Sequence, residues 1–323
     1  MLVVKKCLLI GLGQIGMGYD LALDSEEFVY THARAFSTHP EFELVGAVDL
    51  VETRRKLFKQ HFSPPAYADI ASALQAQATD VVVLASPTSQ HSAALREVLA
   101  HSSPQAILCE KPLAYNLDEA REMVELCETA DSKLFVNYVR RADLGSIEIK
   151  RRIESEEIKT PIKGVAWYSK GFLHNGSHLF NLLEYWLGPF VKANMLDAGR
   201  LWDGQDPEPD VQLEFELGTV VFIAAWEEAF SHYTIELLSP SGRMRYEKGG
   251  ESIVWQATHA HAEIVGYQTL QEIPEMIPNG MSRYQWHVAD QLAYALANQS
   301  NTLCTGRQAL ASLEAMHHII NQR

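Results

Sequence analysis

The first 140 residues alternate two hydrophobic patterns. Short unbroken apolar runs predict strands over Lys6–Ile10, Glu43–Val48, Val81–Leu84, Ala106–Cys109 and Lys133–Val136. Unbroken runs, rather than an apolar–polar alternation, are what parallel strands covered on both faces require. Between them, helical periodicity predicts helices over Leu50–Gln60, Ile70–Gln77, Gln90–Ala100 and Leu117–Thr129. The last begins with a capping Asn116 and the acids Asp118 and Glu119, which suit the positive end of a helix. Alternation of this kind builds a doubly wound parallel sheet.

After Arg141 the pattern changes. Helices are predicted over Gly145–Glu157 and Ser177–Leu187, the second stopped by Gly188-Pro189, with a strand over Lys163–Lys170 between them. Strand-like runs follow at Val211–Glu216, Val220–Trp226, Tyr233–Ser239, Met244–Lys248 and Ser252–Gln256, separated by turn signals such as Gly218-Thr219 and Pro240-Ser241-Gly242. Consecutive hairpins of this type make a largely antiparallel sheet. Gly204–Asp210, with two prolines and three acids, reads as a surface loop. Amphipathic helices over Ser282–Asn298 and Gly306–Asn321 close the chain. The 323 residues suit two domains, 1–141 and 142–323.

Composition narrows the function classes. A hydrophobic content of 47% and a charged content of 21% are ordinary for a globular chain. The net charge of −14 argues against a nucleic-acid backbone as partner. No segment approaches the roughly 20 apolar residues of a membrane span, so no membrane partner is expected. The start, Met1–Lys6, is a short apolar patch with two lysines and no signal-peptide pattern. Cys7, Cys109, Cys127 and Cys304 lack C-x-x-C spacing and read as reduced core thiols, which points to the cytoplasm.

The chemistry begins at the first strand, which runs into Gly11-Leu12-Gly13-Gln14-Ile15-Gly16. That spacing lets a backbone turn sharply, admit a pyrophosphate and open a helix whose N-terminus faces the phosphates. The fold class is therefore α/β: an N-terminal doubly wound parallel sheet of the dinucleotide-binding kind, followed by an α+β domain with a largely antiparallel sheet. Asp49, ending the second strand, is the expected reader of the ribose hydroxyls; a carboxylate there favours NAD, while Arg54 and Arg55 keep NADP in play. Asp49 lies 33 residues beyond Gly16, against the usual interval of about 20. The excess falls on Tyr19–Tyr30, either a longer first helix or an inserted loop. Ser86, Pro87, Thr88 and His91 follow the next predicted strand, on the nicotinamide side of such a cleft.

These motifs resemble the Gfo/Idh/MocA oxidoreductases, the family of glucose–fructose oxidoreductase and inositol dehydrogenase. The likeness rests on the glycine motif, Thr31-His32-Ala33-Arg34-Ala35-Phe36, Ser86-Pro87-Thr88-Ser89-Gln90-His91, Glu110-Lys111-Pro112, and Asn175-Gly176-Ser177-His178 followed by Trp186-Leu187-Gly188. It implies an N-terminal Rossmann domain followed by an α+β domain with an open, mixed sheet, NAD(P)-linked oxidation or reduction of a sugar, polyol or related hydroxyl, and a homodimer or homotetramer built on the second domain's sheet. Two positions depart from the family pattern: His174 and Asn181 stand where aspartates are common.

Hydride leaves a carbon only when its hydroxyl proton also leaves, so the site needs a proton acceptor. His178 is the first candidate, because imidazole titrates near neutrality. Lys111 is the second, as a cation for developing alkoxide or, if desolvated, as a base. Glu110 joins Lys111 among the cofactor contacts. His174, Asn175, Asn181, Tyr138 and Arg140 are candidate substrate contacts, Arg140 for an anionic group. His174 and His178 are four apart, but with Glu184 the only nearby third ligand no metal is expected. His259 and His261 read as bland, and Trp226, Trp255 and Trp286 as core or interface packing. Two rival readings stay open: a dinucleotide-binding regulator without turnover, and a hydrolase or isomerase that retains its NAD.

Overall fold

The computed structural model describes residues 4–321; the apolar start at 1–3 and the last two residues lie outside them. Two compact units form: Met1–Ala142 with Ser282–Ala311, and Asp143–Met281 with Ser312–Arg323. The second is therefore not the continuous stretch 142–323, since 30 residues near the end belong with the first.

In the first unit the chain runs β1 (Lys5–Ile10), α1 (His32–Thr38), β2 (Phe42–Val48), α2 (Glu52–His61), β3 (Ala66–Tyr67), α3 (Ile70–Ala76), β4 (Val81–Leu84), α4 (His91–His101), β5 (Ala106–Cys109), α5 (Leu117–Thr129) and β6 (Lys133–Val136). The strands pair in parallel in the order β6-β5-β4-β1-β2-β3. That is the doubly wound order, and it brings the carboxyl ends of β1, β2, β4 and β5 to one edge. The unbroken apolar runs are buried on both faces: every residue of β4 and β5 is fully covered. Asn116 caps α5 as expected, its side chain accepting from Asp118 N–H at 2.7 Å.

The second unit contains α6 (Leu144–Glu154), β7 (Ile162–Tyr168), α7 (Ser177–Leu187), β8 (Phe190–Trp202), β9 (Asp206–Phe215), β10 (Gly218–Ala224), β11 (Thr234–Ser239), β12 (Gly242–Glu247), β13 (Ser252–Ala260), β14 (Gln268–Leu270) and β15 (Glu275–Met276). The sheet order is β14-β13-β12-β11-β7-β10-β9-β8, with β15 also on β13. Its pairs are antiparallel except β7 with β10. Alternate residues of one face point into a core that includes Phe222, Leu213 and Tyr246, covered by Phe180, Leu183 and Trp186 of α7. The Trp186 indole donates to Ser146 O at 3.0 Å, tying α7 to α6.

The chain then supplies α8 (Tyr284–Leu296), β16 (Cys304–Thr305) and α9 (Gly306–Ile320). β16 adds to β6 antiparallel, and Val288, Ala289 and Leu292 of α8 enter the core of the first unit. Met316 and Ile319 of α9 enter the core of the second. All four cysteines are buried and free. Among the described residues, no helix is long and apolar enough to cross a membrane.

Candidate active site

The three glycines of the turn after β1 have separate physical reasons. Gly11 has φ +101°, and a Cβ there would lie 2.5 Å from Ala85 C and Ser86 N, where the neighbouring strand end crosses. A Cβ on Gly16 would lie 2.0 Å from Gly11 O. At Gly13 nothing stands within 4 Å, so this position opens onto the space a ligand's phosphates would enter.

The motif does not open a full helix. Gln14–Gly18 forms one π-helical turn, with Gln14 exposed and Ile15 packed partly against the core, and α1 starts only at His32. The reason lies in Tyr19–Tyr30, which is a loop. Buried Asp20 accepts from Tyr30 N–H at 2.7 Å, Thr31 N–H at 2.9 Å and the Thr31 hydroxyl at 2.8 Å. Arg34 donates to the carbonyls of Asp20, Leu23 and Phe28. These local bonds satisfy the backbone better than two glycines in a helix would. The turn therefore offers a phosphate its own N–H groups rather than a long helix dipole.

Asp49 sits where expected. Its Oδ2 accepts from Leu12 N–H and its Oδ1 from Val51 N–H, both at 2.8 Å, which fixes the carboxylate beside the glycine turn. Each oxygen keeps a lone pair for a ribose hydroxyl. The Arg54 guanidinium lies 3.5 Å away, whereas Arg55 is held on the carbonyls of Asp49 and Leu50.

Beyond β4, Ser86 Oγ is buried and has no protein partner, and Pro87 leads into the turn Thr88–Gln90. His91, expected as a cofactor contact, has both ring nitrogens turned onto backbone carbonyls of the protein. Its ring nitrogens lie 2.9 Å from Ser86 O and 3.1 Å from Leu113 O, so the fully buried imidazole staples the loop after β4 to the loop after β5. Burial pulls its pKa below the usual histidine value, against the carbonyls that favour its charged form.

Glu110, directly after β5, sits in a polar network that has no local signal in the sequence. Its Oε1 accepts from His32 Nε2 at 2.7 Å and from Asn137 Nδ2 at 2.6 Å, and Asn137 also donates to Gln285 of α8 at 3.2 Å. Burial pushes the carboxyl up, but the His32 and Asn137 hydrogen bonds and the Lys111 charge outweigh it, so Glu110 sits below the usual carboxylate range. His32 had appeared in a motif; its link to 137 and 285 is a product of the fold and has no local signal. Lys111 follows directly and is half-buried. Tyr138 is buried beyond β6, and Arg140 is half-buried in the turn Val139–Ala142.

In the second unit, Gly171–Gly176 forms a π-helical turn that continues into α7. His174 is half-buried and stacks on Trp202, ring centroids 5.2 Å apart. Asn175 and His178 are buried, the latter edge-on to Tyr233 at 6.2 Å. Asn181 is buried and donates to Ser312 Oγ of α9 at 3.4 Å. The turn is held from β9: Asp206 accepts from Leu173 N–H at 3.0 Å and His174 N–H at 2.7 Å, and Glu208 from Gly171 N–H at 3.0 Å. The expected surface loop over 204–210 is thus strand from Asp206 onward, and Glu208 is fully buried against Arg200 at 2.8 Å. Proline and acid content signalled a loop; tertiary bonds to the π turn overrode it. Burial pushes the Asp206 carboxyl up, against its two N–H donors. Trp255 is buried as expected, but Trp226 is half-exposed.

Residues 5–138 match a family model described as an oxidoreductase family with an NAD-binding Rossmann fold. That model is the one for the Gfo/Idh/MocA oxidoreductases, and it covers less than half of the chain. An inositol 2-dehydrogenase of Rubrobacter xylanophilus is 27% identical over 168 residues, 52% of this chain and 46% of that protein. A myo-inositol 2-dehydrogenase of Thermotoga maritima is 25% identical over 268 residues, 76% of each. The match thus spans less than half the length of the first relative. The WlbA dehydrogenase of Bordetella pertussis, crystallised with NADH and UDP-GlcNAcA, shares the fold with a TM-score of 0.75 at 17% identity, covering 99% of this chain and 96% of that one.

The residues present fit a dinucleotide. Gly13 leaves room for phosphates, Asp49 keeps acceptor capacity, and Ser86 Oγ is a buried hydroxyl without a protein partner. Among the described residues no group of three or more His, Cys, Asp or Glu gathers to hold a metal. The structure therefore places Gly11, Gly13, Gln14, Gly16, Asp49, Ser86, Glu110 and Lys111 on the first unit, at the ends of adjacent strands. It places His174, Asn175, His178 and Asn181 at the head of α7 in the second.

Proposed function

We propose that this chain is an NAD-dependent dehydrogenase that oxidises or reduces a hydroxyl- or keto-bearing carbon of a sugar, polyol or nucleotide sugar. The observation that carries this reading is the gathering of the glycine turn, Asp49 and Glu110-Lys111 at the carboxyl ends of β1, β2 and β5. The names of the relatives, and the ligand of the WlbA structure, support a cyclic polyhydroxylated substrate. NAD, when bound, supplies the hydride acceptor. His178 takes the hydroxyl proton, Lys111 stabilises the developing oxyanion, and Asn175 and His174 hold neighbouring hydroxyls. Asp49 selects NAD over NADP by repelling a 2′-phosphate, with Arg54 already engaged by it. Arg140 meets an anionic substituent where the substrate carries one.

The outward face of the second sheet, with exposed Trp167 and Leu238, supports assembly as a homodimer or homotetramer. The four free thiols support a reducing compartment such as the cytoplasm.

The test is NADH formation with a panel of inositols, aldoses and UDP-sugars, comparing wild type with Lys111→Ala. Turnover of at least one panel member is expected, and Lys111→Ala lowers kcat at least about 100-fold while the Kd for NAD stays within several-fold. NAD binding without reduction by any panel member would instead leave a dinucleotide-binding regulator. Turnover nearly intact in the variant would remove Lys111 from the chemistry.

A further inference from the structure

We propose that the edge of the first sheet opposite the glycine turn carries a second small-molecule site, built for a neutral, hydroxyl-rich ligand of the sugar or polyol class. The site lies wholly within the first unit, and the inference does not depend on the dehydrogenase reading.

A cavity of about 650 Å³ opens between the end of α5, the start of β6, the end of α8 and the start of α9. That volume falls within the range of roughly 300–1,000 Å³ typical of ligand pockets. β6 runs parallel to β5, so the cavity sits at the amino ends of the strands, whereas Asp49 and Glu110 follow carboxyl ends. It is therefore separate from the site that the glycine turn builds.

The observation that points to a ligand is Ser132. This residue lines the cavity just before β6, is 5% exposed, and its hydroxyl has no partner in the protein. A buried hydroxyl is costly to leave unpaired, and a ligand hydroxyl would pair with it. The start of α9 adds further donors. The Thr305 hydroxyl accepts from Gln308 N–H at 3.3 Å, and the Gln308 side chain accepts from Thr305 N–H at 3.1 Å. The N–H groups of Gly306 and Arg307, which also line the cavity, keep no partner inside the helix. A Cβ on Gly306 would stand 2.7 Å from Leu134 Cδ2, so this helix start lies directly against β6.

Charge and shape choose the ligand class. The charged residues of the wall are Lys133 and Arg307 against Glu128 and Asp131, so they cancel. Glu128 accepts from Arg307 Nη2 at 2.7 Å, and Lys133 donates to Ala295 O at 2.9 Å and Asn298 Oδ1 at 2.7 Å. Asn298 accepts there through its oxygen, which keeps its two amide N–H groups for a ligand. An anionic ligand would meet the two acids, and a cationic one the two bases. A hydroxyl both donates and accepts, so it suits the acids, the amide and the helix N–H groups alike. Val124, Leu134 and Phe135 supply an apolar floor for the carbon face of a ring. Burial pushes the Cys127 thiol beside them up to about 12, so it stays uncharged.

The test maps binding to the whole chain by amide hydrogen exchange. myo-Inositol and D-glucose are the probes, titrated into the millimolar range, with phosphate, acetate and glycine as charged comparisons. At least one polyol is expected to slow exchange, saturably, in peptides covering 127–135 and 298–307. Ser132→Ala is expected to fold as the wild type does, since its hydroxyl has no protein partner to lose, and to raise the half-saturating concentration about fivefold. Slowing spread evenly over the chain, or confined to other segments, overturns the proposal. So does slowing by phosphate, acetate or glycine in place of the polyols, or by no probe at all. A Ser132→Ala protein that binds as tightly as the wild type overturns it as well. Polyol binding at these peptides in a chain that reduces no NAD supports this site and overturns the dehydrogenase reading alone.

Discussion

At the scale of single residues, the glycine turn and Asp49 were legible because each answers to a local constraint: a positive φ, a close backbone approach, a strand end. Replacing Gly16 by Ala is expected to cost about 2–3 kcal/mol, since its Cβ would stand 2.0 Å from Gly11 O; urea unfolding of the two proteins checks it. Gly13→Ala meets nothing within 4 Å in the protein and should leave stability within about 0.5 kcal/mol while weakening NAD binding at least tenfold. Buried histidines were not legible. Burial holds His39, His91 and His287 below the unfolded histidine value of 6.5. Above that value both states are neutral and these groups contribute no pH dependence. Below it the unfolded chain binds protons first, so stability falls as pH drops toward the folded values. The urea midpoint is therefore lower at pH 5.5 than at pH 7, and His91→Gln flattens that difference.

At the scale of elements, hydrophobic period gave β4, β5, β6, α5 and α7 with the bounds the fold adopts, because burial alone defines them. It missed β8, whose residues are half-buried or exposed and carry no apolar run, and the opening of β9. The latter is strand because Asp206 and Glu208 bind the N–H groups of the π turn, a reason that lies more than 30 residues away. Glu208→Ala should therefore loosen the turn that carries His174. The expected loss is about 2 kcal/mol, below the 3–5 typical of a fully buried pair, because Arg200 is 36% exposed. Amide hydrogen exchange at residues 171–176, rising well before that of α7, is the reading that checks it. The local cap on α5 offers the opposite case: Asn116→Ala costs about 1 kcal/mol, measurable by urea titration.

At the scale of the whole molecule, the sequence suggested two halves in succession, and the fold departs from that. Segment 282–311 gives the first unit a strand beside β6, the apolar face of α8 and Gln285, none of which a reading from the N-terminus could assign to it. A fragment ending at residue 142 should consequently bind a hydrophobic dye and resist cooperative melting, and adding residues 282–311 as a separate peptide should restore a sharper transition. The same return sets an order of events during synthesis. The nucleotide half leaves the ribosome first but must wait for its last pieces. At 5–20 residues per second, roughly ten to thirty seconds pass between residue 142 and residue 311. Throughout that interval the nascent sheet edge and the bare apolar floor under α8 are surfaces a chaperone can hold.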